Sequence, residues 1–151
     1  LRLLEALVRH EVRFMMVGLS AAALQGAPVV TQDVDLWFES LGDSRMTKAL
    51  REVGAAYVPP FGLNAPMLAG AGSEPFDIVL RMDGLKSFGE EFRNSHSLKI
   101  GHLSIQVLGL DRILASKEAA NREKDKLVIP VLRNVLKTLN VKGKEEKRKE
   151  G

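Results

Sequence analysis

Apolar positions change their period several times along this chain, and the changes mark out its elements. Leu1, Leu3, Leu4, Leu7 and Val8 recur at helical spacing, which predicts an amphipathic helix ending near His10. Val12 to Val17, closing on the run Phe14-Met15-Met16-Val17, predicts a buried strand. Gly18 breaks it, and an alanine-rich helix opening at Ser20 is stopped by Gly26 and Pro28. A second strand starts at Asp33 and Asp35 and continues through Leu36, Trp37 and Phe38. Asp43 to Val53 predicts another helix, capped by Asp43 or Ser44 and ended by Gly54.

Between Pro59 and Ser73 the prolines and glycines predict a long loop, with room for a short strand near Tyr57. Loops of that length inside a compact domain are often binding loops or lids. Phe76-Asp77-Ile78-Val79-Leu80 predicts a strand, Phe88 to Phe92 a short helix, and Leu98 to Val107 a hairpin turning at Gly101-His102. From Leu110 the period is helical again, through Ile113, Leu114 and Lys117. Asn121 to Asp125 is a polar joint before a last amphipathic helix bearing Val131, Leu132, Val135, Leu136 and Leu139. Pro130 belongs in its first turn or kinks it. No repeat and no linker divides the chain, so residues 1–140 read as one domain. Residues 141–151 read as a charged, disordered tail.

Composition narrows the class without choosing a function. The chain has 151 residues, long enough for a proper core, with 45% hydrophobic and 27% charged residues, as in ordinary globular proteins. Its net charge of +3 permits a nucleotide or nucleic-acid partner without requiring one. The absence of cysteine excludes disulfides and thiolate metal sites. No apolar run approaches the length of a membrane span and no leader pattern is visible, so no membrane role and a cytoplasmic location are expected.

The candidate chemistry lies in the aspartates. Side chains two apart on a strand share a face, roughly 7 Å apart, so Asp33 and Asp35 project together. Carboxylates held that close repel unless a proton or cation lies between them. Hard oxygen ligands suit Mg²⁺, which binds through one or two carboxylates and substrate phosphates. Upstream, Gly18-Leu19-Ser20 at a strand-to-helix junction offers backbone N–H groups and a hydroxyl to a phosphate. His10, His96 and His102 have no metal-ligand spacing, Trp37 reads as core, and Asp83 in Met-Asp-Gly reads as a turn residue.

Gly18-x-Ser20, then Gly26, then Thr31-Gln32-Asp33-Val34-Asp35-Leu36 resembles the signature of the DNA polymerase β-type nucleotidyltransferases. Within that superfamily the likeness is to AbiEii-type toxins and minimal nucleotidyltransferases, and it covers roughly residues 12 to 136. The resemblance implies a nucleotidyltransferase fold: an α/β (α+β) protein with a mixed, mostly antiparallel sheet flanked by helices. It makes Asp77 the third carboxylate, in Phe-Asp-Ile-Val-Leu, completing a Mg²⁺ (or Mn²⁺) site with Asp33 and Asp35. Two metals there would clamp an NTP and release pyrophosphate as its nucleoside monophosphate moves to a hydroxyl. Gly18 and Ser20 would meet the phosphates, and Thr31 would touch them or brace the turn before Asp33.

Ser116-Lys117-Glu118-Ala119-Ala120-Asn121-Arg122-Glu123-Lys124-Asp125 resembles a Ser-Lys…Arg-x-Lys-Asp stretch of the AbiEii-like group. That likeness sends Lys117 to the nucleotide phosphates and makes Asp125 a support, with Arg122 and Lys124 as further candidates. The implied acceptor is a tRNA end, a protein side chain or a small molecule such as an antibiotic. A small helical partner or antitoxin is also implied. The chain departs from the family pattern at Leu19, where a glycine is usual, and at Val29, where arginine is frequent. Two other readings stay open: a catalytically silent nucleotide- or RNA-binding module, and a partner-binding subunit of the same fold.

Overall fold

A computed structural model describes residues 1–150. The sheet has five strands in the order β5-β2-β1-β7-β6: β1 (Phe14–Val17), β2 (Val34–Phe38), β5 (Phe76–Val79), β6 (His96–Ile100) and β7 (Leu103–Val107). It is mixed: β1 pairs antiparallel with β2, and β6 with β7, while β1–β7 and β2–β5 are parallel. All four residues of β1 are buried, as an uninterrupted apolar run requires of a central strand covered on both faces.

Helices α1 (Arg2–Arg9) and α3 (Ser44–Glu52) pack on each other, and α2 (Gly18–Leu24) lies on β1 and β2. The expected cap on α3 is present, with the Asp43 carboxylate accepting from the Met46 N–H at 2.9 Å. Helix α5 (Leu110–Ala120) rests against α2 and against α7 (Val128–Glu150), and the expected polar joint between α5 and α7 holds a one-turn helix, α6 (Glu123–Lys126). Helix α4 (Phe88–Arg93) is tied to α5 by Glu91, nearly fully buried, which accepts a forked pair of bonds from Arg112 at 2.8–3.1 Å. Trp37 is core as expected, edge-on to Phe88 with ring centroids 5.6 Å apart. No described helix is long and apolar enough to cross a membrane.

Two stretches differ from expectation. The short strand expected near Tyr57 is β3 (Ala56–Val58), but the stretch after it is not all loop: it holds β4 (Met67–Ala69), paired antiparallel with β3, then a 3₁₀ turn at Ala71–Ser73. Only three residues of each strand pair, too few for a period-two pattern to stand out among the prolines. The charged run after Lys142 continues α7 as helix to Glu150 instead of fraying. Lysine and glutamate are good helix formers, and pairs such as Lys142 and Glu146 lie four apart. Gly151 lies outside the described residues. Pro130 sits in the first turn of α7, where its missing N–H costs nothing.

Candidate active site

Strand register brings the carboxylates together. Asp35 on β2 and Asp77 on β5 are direct partners in the parallel pairing, so their side chains leave the same face about 4.8 Å apart at the backbone. Asp33 lies just before β2, where its N–H donates to Thr31 Oγ1 at 3.2 Å and its carbonyl accepts from the same hydroxyl. Thr31 therefore braces that turn. Asp35 is half-buried, and its carboxyl is pushed above the usual carboxylate range by that burial, then by Asp77, with Asp33 adding to it. Lys117 and Lys124 pull the other way.

Gly18 shows why the β1–α2 junction has no side chain. Its φ is +69°, and a Cβ there would overlap Oδ2 of Asp35. The carboxylate lies in the space that glycine leaves. Ser20 is placed differently from expectation. Its hydroxyl donates to the Val17 carbonyl at 3.1 Å and accepts from the Asp35 N–H at 3.4 Å, so it joins β1 to β2 from behind the carboxylate. The hydroxyl faces the backbone because one turn of α2 returns position 20 over the end of β1.

Two hollows meet at these aspartates. One, about 280 Å³, is walled by Gly18, Asp35, Arg81, Lys117, Arg122 and Lys124, and also by Asp83 in the turn after β5. The other, about 480 Å³, is walled by Asp33, Asp77, Glu74, Phe76 and the residues Met67 to Gly70. The aspartates thus stand on the border between a basic hollow and an acidic one. Asp125 faces neither. It is 1% exposed, accepts from the Arg122 N–H at 3.1 Å and Nε at 2.9 Å, and lies 3.4 Å from Lys117 Nζ. Burial resists its ionisation, but the Arg122 bonds and Lys117 outweigh that and hold its carboxyl below the ordinary range. Asp125 is a positioning residue that ties two of the basic side chains together.

Gln25 and Arg81 escaped sequence reasoning. The Gln25 carboxamide donates to the Ala21 and Leu108 carbonyls at 3.0 and 2.8 Å and accepts from the Leu110 N–H at 3.2 Å. It fastens the end of α2 to the start of α5, and so sets where Lys117 stands. Arg81 follows Asp77 and Val79 at period two, which is the signal that could have placed it on the carboxylate face.

Among the described residues no three acidic or histidine side chains converge as a ready ligand cluster. The three expected metal ligands are therefore a register pair, Asp35 and Asp77, with Asp33 one turn upstream. The donor chemistry of that pair nevertheless fits a hard divalent ion whose remaining ligands are phosphate oxygens, and the pair's mutual repulsion is what such an ion relieves.

The mixed sheet with flanking helices is the fold of the solved structures that the chain resembles. No family model and no curated protein sequence matches the chain. Among solved structures it is similar to ANT(2")-Ia in complex with adenylyl-2"-tobramycin, with a TM-score of 0.59 and 14% identity over 99% of this chain and 92% of that one. It is also similar to the solution structure of the antibiotic-resistance factor ANT(2'')-Ia, with a TM-score of 0.58 and 14% identity over 91% and 80% of the two chains. At that identity the likeness is one of fold.

Proposed function

We propose that the chain is a metal-dependent nucleotidyltransferase that moves a nucleoside monophosphate from an NTP to a hydroxyl. The observation that carries this reading is the in-register pair Asp35 and Asp77, of which Asp35 lines a hollow that also carries Arg81, Lys117, Arg122 and Lys124. Four cationic side chains around one hollow outnumber its two carboxylates, Asp35 and Asp83, and suit a triphosphate. Lys117 is 15% exposed and faces Asp35, so it can hold a phosphate oxygen close to the carboxylates.

A divalent ion held by Asp35 and Asp77, with Asp33 alongside, would neutralise phosphate charge and polarise the reacting phosphoryl group. The chain's own residues do the rest. Gly18 leaves room for the Asp35 carboxylate, Asp125 keeps Lys117 and Arg122 in place, and Asp77, exposed in the second hollow, is the carboxylate that would take the proton of the attacking hydroxyl. Ser20 supports this site through the strands it joins, rather than through the phosphates.

The AbiEii-like stretch Ser116 to Asp125 supports a toxin-like relative with a small helical partner or antitoxin. The neighbour's adenylyl-tobramycin complex makes a small-molecule acceptor a fair comparison as well. The deciding experiment is calorimetric titration of each NTP with Mg²⁺ into wild type and the double variant Asp33→Asn/Asp35→Asn. Metal-dependent binding of an NTP that the variant loses is the expected result. No NTP binding by the folded wild type would overturn the reading and leave a silent or partner-binding module.

A further inference from the structure

The turn joining β3 to β4 holds apolar side chains out in water: Phe61 is 82% exposed, Leu63 is fully exposed and Met67 is 53% exposed. This is no slack loop. Phe61 and Asn64 exchange backbone bonds at 2.9 and 3.2 Å, and Pro59, Pro60 and Pro66 stiffen the approach. Clustered exposed apolar groups on an ordered surface mark an interaction site.

The foot of this tip, Met67 to Gly70, is also a wall of the acidic hollow that holds Asp77. Tip and hollow form one continuous surface that ends at the carboxylates. Phe61 and Leu63 stand outside the hollow, so an acceptor touching both reaches beyond it, as a macromolecule does. Charge then selects the kind of macromolecule. The ionisable groups of the hollow are Asp33, Glu74 and Asp77, with no lysine or arginine among its walls. Before metal binds, a polynucleotide backbone is repelled there, whereas a polypeptide carrying Lys or Arg beside apolar residues complements both parts; Glu74 keeps that sign once Asp33 and Asp77 hold an ion.

Resting on the transferase reading above, we infer that the β3–β4 hairpin is a docking arm for a polypeptide acceptor. A basic segment of it presents a Ser, Thr or Tyr hydroxyl to Asp77. The hydroxyl oxygen bonds to the α-phosphorus of the NTP, and the bond from that phosphorus to the β-phosphate's bridging oxygen breaks. Pyrophosphate leaves, and the hydroxyl proton passes to Asp77 and on to water. The product is a phosphodiester between the peptide side chain and the nucleoside.

The test measures fluorescence anisotropy of three labelled probes without nucleotide or divalent metal. They are a 15-residue peptide of Lys, Leu and Tyr, the same peptide with Glu for Lys, and a 15-nucleotide single-stranded RNA. The Lys peptide is expected to bind at least tenfold more tightly than either other probe. F61S/L63S, at solvent-exposed positions, should weaken it about tenfold, and E74Q should weaken it and flatten its salt dependence. RNA binding as tight or tighter, equal binding of the two peptides, or no effect of F61S/L63S would overturn the inference. NTP titration into F61S/L63S keeps the two readings apart: unchanged NTP binding with lost peptide binding supports both, and absent NTP binding removes only the transferase.

Discussion

Gly18 is the position where the backbone and the chemistry can be separated by mutation. In Gly18→Ala the new Cβ enters a residue at φ +69° and overlaps Oδ2 of Asp35. The left-handed backbone alone costs a non-glycine residue about 1–2 kcal/mol. Displacing the carboxylate adds an overpacking penalty of about 1–3 kcal/mol. For a chain of this length the sum corresponds to a fall in Tm on the order of 10 °C. Gly62→Ala is the control, because its φ is +57° and nothing lies within 4 Å of an added Cβ. It should show the backbone penalty and no more. Making Gly18→Ala in an Asp35→Ala background removes the overlap, so its penalty there should shrink to that of Gly62→Ala. Urea unfolding at pH 7 gives all four differences, and Mg²⁺-dependent NTP titration shows whether the shifted carboxylate weakens binding by tenfold or more. If Gly18→Ala matches Gly62→Ala in stability and leaves NTP affinity intact, the close approach of Gly18 to Asp35 has no consequence and the reasoning fails.

Asp35→Asn should raise Tm at pH 7 while reducing Mg²⁺-dependent NTP binding at least about 100-fold. The sign follows because a carboxyl whose folded pKa is raised contributes stability below its unfolded pKa and loses it as pH rises through the folded one. Differential scanning calorimetry from pH 3 to 8 reads that loss. Asp125→Asn should lower stability by about 1–3 kcal/mol at pH 7, because a buried acceptor of two Arg122 bonds is weakened while both cations keep access to water. With its folded pKa depressed, Asp125 stabilises above its unfolded pKa, so the gap between variant and wild type should close as pH falls below about 4 in urea titrations. Lys117→Met and Arg81→Met should each weaken NTP binding about tenfold and reduce its salt dependence, measured by calorimetry at two ionic strengths.

What was legible in the chain was whatever a period or a pair of neighbours encodes. Helix α1, strand β1 and the β6–β7 hairpin follow from apolar spacing, and the placing of Asp33 and Asp35 at the head of β2 follows from the run behind them. The Asp35–Asp77 register was not in the spacing itself, since 42 residues separate them, and it came from resemblance. Ser20 shows the limit most clearly. A hydroxyl at a helix start looks like a phosphate donor in sequence, but the Val17 carbonyl and the Asp35 N–H compete for it at hydrogen-bond distance, and tertiary proximity decides. Strand β3 was foreseen near Tyr57, but β4 and its pairing were hidden because the prolines and glycines around it signal loop. Glu91 and Arg112 were invisible for the same reason as Gln25: their partners are distant in the chain.

The division of labour along the chain follows from the electrostatics. The carboxylates come from β2 and β5 in the first 80 residues, whereas Lys117 comes from α5, and Arg122 and Lys124 from the N-cap and first turn of the short helix Glu123–Lys126. Asp35 is half-buried and faces Asp77 across a parallel register, and both effects oppose the ionised form of Asp35 that a metal needs. Lys117 and Lys124 lower that barrier at Asp35 only if α5 is docked correctly, which is the task of Gln25 at its start and of the Glu91–Arg112 pair along its side. The ionised state of the candidate centre is therefore a property of the whole α2–α5 packing and not of the Asp-x-Asp strand alone. That also explains why Asp125 is buried away from both hollows: by binding Lys117 and Arg122 together it holds two cations at the mouth of the basic hollow, where their repulsion for each other would otherwise spread them into solvent.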